Sequence, residues 1–201
     1  KSDEINITKE GYELNFLGKS YARFQTSTET ETIISPLTDH NNDDENLHSE
    51  NLYIIGDNLD ALKHLLKSYN RKVKCIYIDP PYNTGSDGFV YPDNFKFDSA
   101  TLSNKMGIDE EEAKRIIDMR GKSTHSAWLT FIYPRLILAR ELLTDEGIIF
   151  ISIDDNEQSN LKIVCDEIFG EENFAGKITV VNNPRGRDYG GIANMHEYLL
   201  V

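Results

Sequence analysis

The stretch Val73-Lys74-Cys75-Ile76-Tyr77-Ile78-Asp79-Pro80-Pro81-Tyr82-Asn83-Thr84-Gly85 decides how the chain is read. Its first half is an apolar, β-branched run without turn formers, which predicts a fully buried strand over 73–78. The strand then stops on a carboxylate, two prolines and a tyrosine. Neither proline donates a backbone hydrogen bond and each fixes its own φ, so the chain leaves the sheet in one stiff conformation. In an open parallel α/β sheet, ligands bind in the crevice beyond the carboxyl ends of the strands. Placed there, the Asp79 carboxylate and the Pro80 carbonyl are rigid acceptors for the hydrogens of an exocyclic amino group. The Tyr82 ring offers a face on which a planar base, taken out of a duplex, can stack.

By itself Asp-Pro-Pro-Tyr reads as a tight turn, but a turn requires neither the acid nor the aromatic. Behind a buried strand, the quartet Asp79-Pro80-Pro81-Tyr82 resembles the catalytic motif of the amino-methyltransferases that modify adenine at N6 or cytosine at N4. The longer run from Asp79 through Gly85, with Phe89, Tyr91 and Asp93-Asn94-Phe95 downstream, resembles the modification (Mod) subunit of type III restriction–modification systems. The likeness extends over nearly the whole chain from about Gly11 onward.

That resemblance implies an α/β protein with a doubly wound, mainly parallel, Rossmann-like methyltransferase sheet. It implies S-adenosyl-L-methionine as cofactor and N6 of a flipped adenine in double-stranded DNA as acceptor. Aspartate at the first motif position favours adenine, since the cytosine-N4 enzymes more often carry serine there. Asp79, Pro80, Pro81 and Tyr82 would be catalytic, and Asp57, Asn58 and Asp79 would hold the cofactor. Asn83, Arg185 and Arg187 would contact DNA or the extruded base. The expected partners are a restriction (Res) subunit and a second Mod copy, in the bacterial cytoplasm. Rival readings are cytosine N4 or RNA as substrate, and a non-catalytic scaffold that docks a partner. A dinucleotide-dependent dehydrogenase is disfavoured, because no Gly-x-Gly-x-x-Gly opens a helix after a strand.

Composition limits the picture. The 201 residues carry 34 acidic against 21 basic side chains, a net charge of −13. Affinity for a phosphate backbone comes from cations that displace counterions, so this balance has the wrong sign for a self-sufficient DNA clamp. It does not exclude a catalytic core whose basic surfaces lie elsewhere. Cys75 and Cys165 both lie in apolar patterns and read as reduced core residues. No apolar run reaches membrane-spanning length, which predicts a soluble protein. No His, Cys or Asp cluster has metal-ligand spacing, and a metal-free site is expected.

Outward from the motif, residues 1–24 read as an arm anchored by Tyr12, Leu14, Phe16, Leu17, Tyr21 and Phe24; Lys19 and Arg23 could touch DNA, but two basic residues more often form a solvated face. Residues 25–50 are Thr-, Asp-, Asn- and Ser-rich and read as an extended or mobile connector. The arm and connector, 1–50, would thus precede the catalytic half of a class I methyltransferase domain, 51–201. Within it Leu52-Tyr53-Ile54-Ile55 predicts a short strand, followed by a helix with Leu59, Leu62, Leu65, Leu66 and Tyr69 on one face. Asp57 between them is equally an N-cap and a cofactor acceptor.

The aromatic-rich stretch 82–98 predicts a loop over the site, with alternating Phe89, Tyr91, Phe95 and Phe97 burying one face. A small helix is expected over 109–119 and a long buried one over 126–143, ended or kinked by Pro134. Gly147 then punctuates, Ile148–Ile153 reads as another buried strand ending on Asp154-Asp155, and a helix follows with Leu161, Val164, Cys165 and Ile168 inward. Strands are expected over 176–182 and from His196, with an Arg- and Gly-rich loop, 183–191, between them. His125 and His196 read as structural histidines.

The family's Phe-x-Gly-x-Gly loop, which wraps the cofactor's methionine end, is not found; Gly186, Gly190 and Gly191 do not fit its pattern. In the permuted β class that loop follows the catalytic motif and the target-recognition region. The expectation is therefore an N-terminal part of a longer Mod protein. On that view strand 52–55 is separated from strand 73–78 by strands of the other half, and an apolar face stands exposed.

Overall fold

A computed structural model of the protein describes residues 13–85, 87–92, 97–182 and 195–201. The chain forms a mixed α/β structure around a four-stranded sheet. Helix α1 (Lys19–Ser27), the short α2 (Thr38–Asn41) and α3 (Asn58–Tyr69) precede strand β1 (Val73–Ile78). Helices α4 (Ser99–Met106), α5 (Glu110–Ile117) and α6 (His125–Leu142) lead to β2 (Leu143–Ile153). Helix α7 (Gln158–Phe169) and a 3-10 turn then lead to β3 (Lys177–Val181) and β4 (His196–Leu200).

The strand order is β1-β2-β4-β3. β1 pairs parallel with β2, while β4 is antiparallel to both β2 and β3. Pair by pair the sheet is thus mostly antiparallel, against the expected mainly parallel one. By direction, however, β1, β2 and β3 run the same way and β4 alone is reversed. The reason is local: β3 and β4 pair closely across their whole length, from Lys177 opposite Leu200 to Val181 opposite His196, and antiparallel strands need no helical crossover to do so.

Two further expectations are corrected. Leu52–Ile55 forms no strand, and Leu52, Tyr53 and Ile55 are exposed. A strand needs a neighbour to take its backbone groups, and among the described residues none lies beside it. β1 is an edge strand for the same reason: only β2 pairs with it, Tyr77 is exposed, and Cys75 lies at the surface instead of in the core. β2 begins earlier than its apolar run suggests. Val73 opposes Leu143 but Cys75 opposes Ile148, so Gly147 sits in a bulge inside the strand. A Cβ there would stand 2.9 Å from Leu143 Cδ2 and 3.0 Å from the Thr144 carbonyl oxygen, so the close approach requires glycine.

Helix α6 organises the interior. Trp128, Leu129, Ile132 and Leu136 are almost wholly buried against Ile151 and Ile153 of β2 and Leu161 and Val164 of α7. Ala127, the residue before Trp128, belongs to a second core with Tyr21, Tyr91, Leu102, Ala113 and Ile116. Pro134 does not end the helix, which runs through it; burial of the surrounding turns offsets the one hydrogen bond that proline removes. The missed helix α4 has little amphipathic signal and is defined by its ends. Asp98 accepts from the Thr101 amide at 2.8 Å, and Gly107 closes the helix in the left-handed conformation. Phe89 and Tyr91 are buried around an exposed Val90, as their alternation predicts, although the segment pairs with residues 121 and 122 by two backbone bonds and not as a strand. Tyr12 and Phe95 lie outside the described residues, and no helix of the described residues is long and apolar enough to cross a membrane.

The segment before α1 packs on α6, with Leu14 and Phe16 against the first core and Leu17 against the second. Lys19 is not solvated as expected. It is buried, with Nζ 2.8 Å from Glu167 and 3.2 Å from Glu13, while Arg23 donates to Tyr133 and Glu167. Burial pushes the Glu167 carboxyl up, but bonds from Lys19 and Tyr133 and the charges of Lys19 and Arg23 outweigh it and hold the group below the ordinary value. Its contribution to stability is therefore present above the ordinary carboxylate range and is lost as pH falls through the lowered value.

The turn into α1 supplies a test. Gly18 has φ +93°, and a Cβ there would strike Met119 and the Thr130 hydroxyl, which donates to the Leu17 carbonyl at 3.1 Å. Gly107, with φ +66°, faces open space. Gly18→Ala is expected to lower unfolding free energy by about 2–4 kcal/mol, against about 1 kcal/mol for Gly107→Ala. Denaturant titration of both variants checks this, and equal losses would contradict the close packing of the arm on α6.

Candidate active site

Asp79 is the first residue beyond β1, and it is exposed. The Tyr82 hydroxyl donates to Asp79 Oδ1 at 2.9 Å and lies 3.4 Å from Glu197 Oε2 on β4. Burial first, then the bond to Asp79 and the negative charges of Asp79 and Glu197, push this phenol well above its ordinary value. It is a permanent donor at neutral pH, and it fixes the ring beside the carboxylate. Structure thus brings together the acid and the aromatic that the sequence singled out.

The proline pair between them gives no backbone donor, so other elements hold the turn. The Trp128 indole donates to the Pro81 carbonyl at 2.6 Å from inside the buried face of α6. Asn83, in a left-handed conformation with φ 59°, donates from Nδ2 to Glu157 Oε1 at 2.6 Å. Beyond it the loop closes on itself: the Asp87 amide donates to Thr84 Oγ1, and Asp87 accepts from the Thr84 and Phe89 amides. Phe89 then anchors in the core, edge-on to Phe131 at 5.5 Å.

Asp57 and Asn58 form the other half of the expected site. Asp57 caps α3, its Oδ1 accepting from the amides of Leu59 and Asp60 at 2.8 and 3.3 Å. That is one of the two roles its position allowed. Its side chain is still 59% exposed, which leaves the carboxylate accessible to a ligand. Asn58 accepts from Arg135 Nε at 2.6 Å, and the same guanidinium lies 3.8 Å over the Phe131 ring. Trp128 and Arg135 are seven residues apart on α6, two turns along one face and roughly 10 Å in rise. One buried helix therefore positions both the motif and the Asp57-Asn58 corner. No direct contact joins the two among the described residues.

At the end of β2, Asp154 binds its own turn through the Asn156 amide and side chain at 2.9 and 2.7 Å, while Asp155 accepts from Tyr198 at 2.7 Å. Burial holds the Asp154 carboxyl above its ordinary value despite the Asn156 bonds. Among the described residues no group of three or more His, Cys, Asp or Glu side chains could hold a metal ion. Arg185 and Arg187 lie outside the described residues.

The sequence reading passed over the groups that hold the motif, namely Trp128 as a donor, Asn160 and Glu157, and took His125 only as a structural histidine. His125 is 68% exposed and reaches Glu157, not an apolar pocket. A signal for Glu157 existed. The inward stripe Leu161, Val164, Ile168 continues one turn back onto it, at a place where an acid has no ordinary reason to be.

With this geometry in view, similarity to known proteins is informative. Residues 73–201 match the DNA methylase family. All of the chain is 51% identical to 32% of the type III restriction-modification enzyme EcoPI Mod subunit of Escherichia phage P1. It is 53% identical to 31% of the corresponding EcoP15I Mod subunit of Escherichia coli. Over 76% of the chain it is 42% identical to the type II methyltransferase M.KpnI of Klebsiella pneumoniae, covering 32% of that protein. The chain thus spans about a third of the length of the curated relatives it matches.

Trp128→Phe keeps an aromatic ring but leaves the Pro81 carbonyl without its indole donor. The expected cost is about 1–3 kcal/mol of unfolding free energy, since loss of one partner of a buried bond exposes the full desolvation penalty of the other. Denaturant unfolding of the variant measures it, and an unchanged midpoint would show that the turn does not depend on this bond.

Proposed function

The chain belongs to the DNA methylase family, and on that premise we propose that it carries the catalytic motif of a type III Mod subunit, acting on N6 of adenine in DNA. The observation that carries this reading is the exposed Asp79 carboxylate at the end of β1, with the Tyr82 ring tied beside it at 2.9 Å.

An aromatic amino nitrogen is a poor nucleophile because its lone pair is delocalised into the ring. Asp79 and the Pro80 carbonyl would accept its two hydrogens, favouring a tetrahedral nitrogen with a free lone pair. Tyr82 would stack on the extruded base, its ring orientation set by its own hydroxyl. Such catalysis rests on positioning and electrostatic stabilisation and needs no covalent intermediate. S-adenosyl-L-methionine, when bound, supplies the electrophilic methyl group. The available donor set fits it: Asp57 and Asp79 present accessible carboxylates that accept from hydroxyl and amino groups. Asp57 and Asn58, set by α6 through Arg135, would hold it from the start of α3.

The shared direction of β1, β2 and β3, with helices between them, supports a Rossmann-like arrangement in which residues 51–201 are the catalytic half and 1–50 an arm and connector. Asn83, Arg185 and Arg187 remain proposed DNA contacts. The relatives' role in restriction–modification supports a Res subunit and a second Mod copy as partners, in the bacterial cytoplasm.

Labelled methyl transfer from S-adenosyl-L-methionine to mixed-sequence DNA, followed by nucleoside analysis, tests the reading in the intact protein. Label in N6-methyladenine is expected, whereas N4-methylcytosine would reassign the substrate. Asp79→Ala should lower transfer by at least about a thousandfold while the protein stays folded, because the group acts only on the developing charge. Substantial activity in that variant would sink the assignment.

A further inference from the structure

Glu157 is fully buried, and among the described residues its carboxylate makes no cation pair with lysine or arginine. It accepts from Asn83 Nδ2 at 2.6 Å and lies 2.7 Å from His125 Nδ1 through Oε1, and accepts from Asn160 Nδ2 at 2.8 Å through Oε2. The ordinary reason for an acid here would be to cap α7. Glu157 occupies the N-cap position, but its side chain makes no capping bond. The carboxylate instead bridges the Asn160 side chain of its own helix and the Asn83 side chain of the motif loop.

Two features of Asn83 show that it is drawn into place. Its backbone is left-handed, with φ 59°, and its Oδ1 is buried with no hydrogen-bond partner among the described residues. An acceptor left unspent in the interior and a sparsely populated backbone conformation persist only where the surroundings over-determine them, and such features gather at functional sites. The one strong bond this side chain makes is to Glu157. It directly follows Tyr82, so its conformation fixes where the ring and the carboxylate stand.

We propose that Glu157 is a positioning residue for the reaction: by anchoring Asn83 it locks the turn that presents Asp79 and Tyr82. His125 and Asn160 complete the anchor by holding the carboxylate from α6 and α7. The inference rests on the methyltransferase reading for its catalytic consequence, but the locking itself has an independent reporter, because Trp128 bonds the Pro81 carbonyl two residues before Asn83.

The test uses the intact protein with Glu157→Ala, Glu157→Gln, Asn83→Gly and the pair Asn83→Gly with Glu157→Ala. Glycine keeps positive φ accessible, so Asn83→Gly removes the anchor without adding backbone strain. Glutamine can still accept from Asn83 and His125 through its carbonyl while Asn160 flips its amide toward the new donor. Two readouts are taken: kcat and KM for methyl transfer, and the 19F resonance of 5-fluorotryptophan at position 128, assigned by its loss in Trp128→Phe. Glu157→Ala and Asn83→Gly are each expected to lower kcat by at least about tenfold; KM for DNA should change by less than about threefold in Glu157→Ala, while Asn83→Gly, at a proposed DNA contact, is judged on kcat alone. The double variant should fall no further than the worse single one, the mark of two groups acting as a unit. Glu157→Gln should recover at least about a third of kcat, and the Trp128 resonance should shift in the three impaired variants only.

Multiplied losses in the double variant, equal impairment by glutamine and alanine, or an unmoved Trp128 resonance in Asn83→Gly would each overturn the proposal. Should Glu157→Ala not fold, Asn83→Gly and Glu157→Gln decide it. Should the wild-type protein transfer no methyl group, the functional reading fails, and the Trp128 resonance still decides whether Glu157 locks the turn.

Discussion

Two consecutive prolines at the end of a strand create a problem of hydrogen-bond supply. Pro80 and Pro81 have no N–H, so the turn cannot be closed by the backbone bonds that hold most turns. Side chains from elsewhere must hold it, and much of the architecture serves that need. Trp128 reaches in from α6, Glu157 from the entry to α7, and Tyr82 bridges the turn from within. Each donor or acceptor is itself fixed by packing: Trp128 and Glu157 have no exposed surface at all. A stiff turn held from the interior presents the Asp79 carboxylate to solvent without losing its geometry.

The same logic explains why one helix touches nearly everything that matters. α6 is buried through most of its length because it contributes to both cores. It receives the arm on one side, through Thr130 and Tyr133, and the motif on another, through Trp128. Through Arg135 it also steadies the Asp57-Asn58 corner. Polar side chains on a buried helix are costly unless satisfied. Here the satisfied ones are the links between the core and the candidate site.

How much of this could be read from the residues alone divides along a physical line. Elements with a strong local signal were legible: α7 from its 161, 164, 168 spacing, α6 from its apolar length, and the motif from its chemistry. The misreadings concern what lies beside an element. Nothing in Leu52–Ile55 or in Val73–Ile78 says whether a neighbouring strand is available, and a strand exists only with its partner. The reversed direction of β4 is likewise a property of a pair. In the site, Asp79 and Tyr82 announced themselves, whereas Glu157 and Asn83 meet from positions 74 residues apart, and only the folded chain brings them to 2.6 Å. Lys19 was misread for the same reason, since its nearer and more buried counter-charge, Glu167, is 148 residues away.

The bond from Thr130 to the Leu17 carbonyl spans 113 residues. At ribosomal speeds of roughly 5–20 residues per second, the arm emerges on the order of 6–20 s before the helix that receives it. During that interval Tyr21 and Ala22, both buried in the finished protein, have nothing to cover them. The charges of Lys19 and Arg23 break the apolar run of this waiting segment, as residues that guard against aggregation do. The arm is therefore a late clasp: written before α6, it docks only after that helix is made.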